Sequence, residues 1–179
     1  MPISLRTARE DDVPALEQLI SRSVRQLSAG YYTDAQIESV LRYVFGVDTQ
    51  LIADGTYFVV EVDGHIAACG GWSKRQTLYG GDQLKSGEDA LLDPATEPAR
   101  IRAFFVDPEF ARRGIGRQLL TACEQAAQAA GFRRLEMGAT LPGEPLYAAA
   151  GYQAIEPIDL RMPDGVILPI VRMGKTVNA

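Results

Sequence analysis

The sequence predicts an α/β fold in which helices flank one mixed β-sheet, and three observations predict it. Apolar residues recur at helical spacing near the N-terminus, at Val13, Leu16, Leu19, Ile20 and Val24, and again at Ile37, Val40, Leu41 and Val44. The period then shortens to two β-rich runs, "TYFVVEV" and "HIAACGGW", joined by Asp63-Gly64, a dipeptide suited to a tight hairpin turn. Beyond that point strand-like and helix-like segments alternate.

Each element has its own signal. The first helix has an acidic start with Asp12 as its N-cap and Pro14 in its first turn, and the second is capped by Thr33 or Asp34. Ser73 to Ala99 is rich in Gly, Asp, Pro and Ser and lacks periodicity, which predicts a long loop of the functional or mobile kind. "RIRAFFVDP" is a buried strand stopped by Pro108, and "RQLLTACEQAAQAAGF" is a helix ending at Gly131. "RRLEMGAT" is a strand, "EPLYAAAG" a short helix ending at Gly151, and "YQAIEPIDL" and "VILPIVRMGK" a closing strand pair.

Composition narrows the function classes. With 179 residues, 46% of them hydrophobic and 23% charged, the chain fits one domain, 1–179, with a sizeable core. Its formal net charge of -5 removes the broad positive field that draws a protein onto nucleic acid or an anionic membrane. No apolar run approaches the roughly 20 residues of a membrane span, and "MPISLRTARE" lacks the features of a signal peptide, so a cytoplasmic protein is expected. Cys69 and Cys123 lie in apolar surroundings without CxxC spacing, which predicts reduced, buried thiols. With His65 the one histidine, no metal site is expected.

The stretch "FARRGIGRQLL" carries the chemistry. A strand that turns through glycines into a helix leaves the first helical N–H groups unpaired and pointing at one spot, where the helix dipole adds positive potential. Gly114 and Gly116 remove side chains that would block an anion, and Arg112, Arg113 and Arg117 add charge in an otherwise acidic protein. A pyrophosphate fits such a junction. No Lys-Ser or Lys-Thr follows the second glycine, and "RRGIGRQ" is not G-x-G-x-x-G, so neither a Walker loop nor a dinucleotide fold is indicated.

In its context, "FFVDPEFARRGIGRQLL" resembles the cofactor motif of the GNAT superfamily of N-acetyltransferases, and "LYAAAGY" downstream resembles that superfamily's second motif. The element order resembles the family over nearly the whole chain. The resemblance implies a mostly antiparallel mixed sheet with a splayed central strand pair. It also implies acetyl-CoA as co-substrate, with no metal. The pyrophosphate would lie on the amides of Arg112, Arg113, Gly114, Ile115, Gly116 and Arg117, and the pantetheine arm along Phe104, Phe105 and Val106. Where the family's motif often opens with Gln or Arg, this chain has Ala111, with Arg112 the neighbour left to cover that role. Thr140 stands where relatives often carry a cofactor-contacting Asn.

The resemblance further implies direct attack of an amine on the thioester, with Tyr147 protonating the departing thiolate. Glu136 on the following strand is the candidate base; His65, after the hairpin turn, reads as a surface residue at the sheet end away from the thioester. Tyr31, Tyr32 and Trp72, with the Ser73 to Ala99 loop, are candidates for the acceptor pocket. The acidic residues of that loop, Asp82, Glu88, Asp89, Asp93 and Glu97, would favour a cationic amine. The expected function is therefore acetyl transfer to a small-molecule or terminal amine. The alternative is a non-catalytic acyl-CoA-binding sensor or partner-binding module on the same fold. Acyl chains longer than acetyl, and a homodimer, are left open.

Overall fold

Seven strands pair in the order β1-β2-β3-β4-β5-β7-β6 in the computed structural model, which describes residues 2–177. The strands are β1 Ile3–Thr7, β2 Tyr57–Val62, β3 His65–Ser73, β4 Ala99–Val106, β5 Arg134–Thr140, β6 Gln153–Arg161 and β7 Ile167–Thr176. The helices are α1 Val13–Leu27, α2 Asp34–Tyr43, α3 Thr49–Ala53, α4 Ile115–Ala129 and α5 Glu144–Ala149. Every neighbouring strand pair is antiparallel except β4–β5.

The alternation of side chains along the strands sends apolar residues to both faces, and helices cover each. Tyr57, Val59, Cys69, Leu168 and Ile170 pack under α1 to α3, through Leu16, Ile20, Ile37, Val40 and Leu51. On the other face Ile101, Leu135, Met137 and Ala139 meet Leu120, Cys123 and Ala127 of α4, while Val60, Val62 and Ala68 meet Ile115 and Leu119. Both cysteines are free and buried.

Asp12 does occupy the position before α1, but its carboxylate caps nothing there. It accepts instead from Arg6 Nη1 and Nη2 at 2.8 and 2.9 Å and from the Arg9 N–H at 2.7 Å, tying β1 to the start of the helix. Thr33 caps α2 as expected, accepting from the Gln36 N–H at 3.1 Å while the Gln36 side chain returns to the Thr33 N–H. Two elements were not expected from sequence, β1 and α3, each five residues long.

Two departures from regular pairing shape the middle of the sheet. The β3–β4 register shifts between Cys69 and Gly71, opposite Ala103, which takes a left-handed φ of 53°. The displaced Phe104 ring lies so close to Gly70 that a Cβ there would clash with it. On its other side β4 pairs with β5 only at Ala99–Leu135 and Arg100–Glu136, after which the two parallel strands part. A wedge thus opens between their C-terminal halves.

The loop from Ser73 to Ala99 is long and largely irregular, as expected, but it is firmly anchored. Arg102 on β4, 1% exposed, binds Asp48 Oδ2 at 2.9 Å and donates to the carbonyls of Thr77 (3.2 Å) and Gly80. Lys85 closes on the same Asp48 at 2.7 Å, and Arg75 pairs with Asp54 at 2.8 Å. Among the described residues no helix is long and apolar enough to cross a membrane.

Candidate active site

The wedge between β4 and β5 continues into a cavity of about 630 Å³ whose walls come from α1, β4, the turn before α4, and α5. One end is the glycine junction. Arg112 takes φ 62° and Gly114 φ 80°, so the chain here enters the left-handed region twice within three residues, an alternation of the kind that forms backbone nests. Gly114 is the N-cap of the 15-residue α4 and supplies no side-chain cap, which leaves the helix's first N–H groups for a ligand. Gly116 serves another purpose: a Cβ there would meet Leu146 Cδ2 at 3.2 Å and narrow the cavity where α4 passes α5.

The arginines of the junction divide. Arg112 and Arg117 line the cavity, the latter also donating to the Ala149 carbonyl at 3.3 Å. Arg113 turns aside, its guanidinium lying 5.5 Å from the centre of the Phe110 ring. The Ile115 side chain is buried between helix and sheet, so only its backbone faces the junction.

The middle of the cavity is the unpaired stretch Phe104, Phe105 and Val106, all of them lining it. Because β5 has departed, backbone groups that would have bonded to it are available to a ligand. Phe104 and Phe105 point to opposite faces. The first meets Tyr147 edge-on with ring centres 6.3 Å apart, and the second meets Phe45 at 6.0 Å.

Tyr147 reaches this region from α5, a helix set by Pro145 in its first turn and held by the Gly143 bend, where Thr140 Oγ1 accepts from the Gly143 N–H at 3.2 Å. Thr140 and Tyr147 both line the cavity. The Tyr147 ring stands between Phe104 and Tyr152, and burial pushes its phenol above the ordinary value. No group among the described residues hydrogen-bonds its hydroxyl.

The remaining sequence candidates separate. Tyr31 lines the cavity and is half exposed. Tyr32 is buried behind it, its hydroxyl donating to the Pro169 carbonyl at 2.6 Å and accepting from the Leu141 N–H at 3.0 Å, with its pKa pushed up to about 12 by burial. It braces the wall and does not line the cavity. Trp72 requires a correction: it is 6% exposed and packs edge-on against Phe132 at 6.0 Å, in the core under α4.

Glu136 needs a correction too. Leu135, Met137 and Ala139 share the core with Tyr147, so by alternation Glu136 faces the other side of β5. There Arg172 Nε binds Glu136 Oε1 at 2.6 Å and Arg100 approaches at 3.9 Å, beside a separate cleft with Gly174 and Lys175. The carboxylate does not meet Tyr147. His65 is exposed and outside the cavity, yet it lies at the end of the sheet toward which Val106 runs, since Ala68 pairs with Val106.

Sequence reasoning missed the wall opposite the strand: Val24, Leu27 and Ser28 from the end of α1, and Phe45. Leu27, outside the apolar stripe of its helix, was the available signal. Four of the five acidic loop residues hold backbone or hydroxyl groups: Asp82 the Thr49 N–H and hydroxyl of α3, Asp89 the Thr77 N–H, Asp93 the Ala95 N–H, and Glu97 the Asp93 N–H.

The arrangement defines a class of protein, an α/β domain whose cavity joins a glycine-capped helix N-terminus to an opened strand. The model of the acetyltransferase (GNAT) family matches residues 21–152, and the chain belongs to that family. It is an acetyl-CoA-dependent N-acetyltransferase. Comparison with curated proteins gives no match. Solved structures share the fold. A GCN5-related N-acetyltransferase from Rhodopseudomonas palustris superposes with a TM-score of 0.73 at 19% identity, over 99% of this chain and 97% of that one. PaiA N-acetyltransferase from Thermoplasma acidophilum, solved in complex with coenzyme A, gives 0.65 at 14%, over 98% and 99%. The ribosomal-protein-S18-alanine N-acetyltransferase of Escherichia coli gives 0.60 at 16%, over 99% and 96%.

Proposed function

We propose that residues 1–179 form one acetyltransferase domain that moves an acetyl group from acetyl-CoA to a small amine by direct attack, with Tyr147 serving the departing sulfur. The observation that carries this reading is that Tyr147, with its hydroxyl unclaimed among the described residues, lines the same cavity as the glycine junction and the unpaired strand edge. The residues present suit the co-substrate: N–H groups and Arg112 and Arg117 for phosphates, free strand groups for an amide-bearing arm, and apolar walls around the thioester.

In the reaction the amine nitrogen forms a bond to the thioester carbonyl carbon, the carbon–sulfur bond breaks, and one proton passes from nitrogen to sulfur. Strand groups of Phe104 to Val106 polarise the carbonyl, as an oxyanion hole does. Burial keeps the Tyr147 phenol protonated across the working pH range, so it stays a donor to the charge that develops on sulfur. Two free thiols in the core, Cys69 and Cys123, favour a reducing compartment such as the cytoplasm.

Replacement of Tyr147 tests the proposal. Tyr147→Phe should keep acetyl-CoA affinity and lower kcat by roughly 10²- to 10⁴-fold, the range for a general acid. An acyl-CoA sensor would bind acetyl-CoA equally well and release no thiol with any amine. Equal kcat in both proteins, with chemistry rate-limiting, would take the tyrosine out of the mechanism.

A further inference from the structure

Resting on the acetyl-transfer reading, we infer that the acceptor end of the cavity takes its amine as the neutral free base, carried on an apolar or aromatic body, and turns away the ammonium form. The cavity has two chemically different ends. The nest, Arg112 and Arg117 make one end cationic, while Val24, Leu27, Tyr31, Phe45 and Phe105 make the other apolar. Among the described residues that line it, none carries a carboxylate or an imidazole, and both charged side chains are guanidinium groups.

Nearby ionisable groups on the surrounding elements are committed elsewhere. Asp107, at the end of β4, is paired with Arg22 of α1 and accepts from the Glu109 N–H at 3.0 Å. Asp48, before α3, is held by Arg102 and Lys85, and Asp89 by the Thr77 N–H and Lys85. Glu136 is held by Arg172 and Arg100. The Tyr32 hydroxyl is occupied on both sides by backbone groups. Glu144, at the start of α5, acts electrostatically on Tyr32 but does not line the cavity.

An ammonium drawn into this end would give up its water and meet no counter-ion on the apolar walls, since Arg112 and Arg117 are taken up by the phosphates of the co-substrate. A neutral amine escapes that penalty, and its apolar portion gains contact with the edge-on Phe45–Phe105 pair. The proton balance agrees. A neutral amine brings the one proton that the departing thiol needs, so the products form with no net proton to remove and no base in the protein is required. The pH dependence is then set by the acceptor, not by the enzyme.

The test measures kcat/KM for thiol release from acetyl-CoA between pH 6 and 9.5, using alkylamines and ring-bearing amines of graded pKa, including aromatic amines. For each alkylamine log kcat/KM should rise with unit slope, levelling at that amine's own pKa where the pKa lies within the range and rising throughout where it lies above, while aromatic amines give a flat profile. At pH 7 an alkylamine with a pKa near 10.4 is neutral only to roughly one part in 10³, and its KM in total amine should be raised accordingly. A break at one fixed pH across the whole series would mean an enzyme base and overturn the inference. So would a kcat/KM that climbs from acetyl- to hexanoyl-CoA, because the apolar end would then belong to the donor's chain.

Leu27→Asp supplies a second arm, on a residue already 36% exposed. A carboxylate at that wall should lower the KM of alkylamines by about tenfold, as a charge-assisted contact does, and flatten their pH profile. An unchanged KM in the folded variant would count against the inference. Acetyl-CoA binding with no thiol release from any amine would instead remove the acetyl-transfer reading, and this inference with it.

Discussion

Gly114 and Gly116 stand one residue apart and are required for different reasons. At Gly114 the backbone is left-handed, φ 80°, with open space where a side chain would go, whereas at Gly116 a Cβ would press on Leu146, which would have to give by a few tenths of an ångström. Gly114→Val forces a β-branched residue into a conformation that costs it roughly 1–2 kcal/mol or more, and the nest should open. Calorimetry on the folded variant should show acetyl-CoA affinity reduced at least about tenfold; undiminished affinity would move the phosphates elsewhere. Trp72 carries the opposite expectation from its first reading. Buried against Phe132, Trp72→Ala should cost about 3–5 kcal/mol of stability and leave the acceptor KM unchanged, read by urea unfolding beside steady-state kinetics. The sequence showed that Trp72 and Glu136 each lie on one side of a strand. It did not show which side faces the acceptor, because that depends on where α4 and α1 pack.

Elements with long periodic signals were legible within a residue or two, α2, α4, the hairpin and the closing strand pair, while α1 runs three residues past Val24, the last of its apolar stripe. The two that were not, β1 and α3, are short and held by partners distant in sequence. Ile3 pairs with Val62, and Asp48 before α3 is fixed by Arg102 and Lys85. The β1–α1 connection also makes an acid-sensitive joint. Hydrogen bonds from Arg6 outweigh the cost of burial and hold the Asp12 carboxyl below the usual carboxylate range. A depressed carboxyl contributes stability above its unfolded pKa and loses it as pH falls through the folded value. Asp12→Asn should therefore be less stable than wild type at pH 6, and the gap should close progressively below about pH 4. A gap in urea unfolding that stays constant to pH 2 would show that charge plays no part in the joint.

Over the whole molecule, the GNAT order of elements and the glycine turn into α4 could be read from residues in sequence order, while the buried network under the long loop could not. "RIRAFF" gives no sign that Arg102 is buried, since its partner Asp48 lies 54 residues away. The same holds for the depth of the wedge, because a strand that stops pairing after Arg100–Glu136 looks like any other strand. That early parting makes the sheet two half-sheets clasped at one end, and acetyl-CoA bound as proposed would be the splint between them. The fold's resistance to heat is then tied to the supply of a metabolite: a co-substrate at 100 times its Kd should add about 2.7 kcal/mol. Amide exchange at Phe104 to Val106 should slow on the same titration, while amides between β1 and β2 lag behind; uniform slowing across the sheet would mean the halves do not move apart. On that proposal, loss of acetyl-CoA would leave not only an idle enzyme but a looser one, more open to proteases along its central seam.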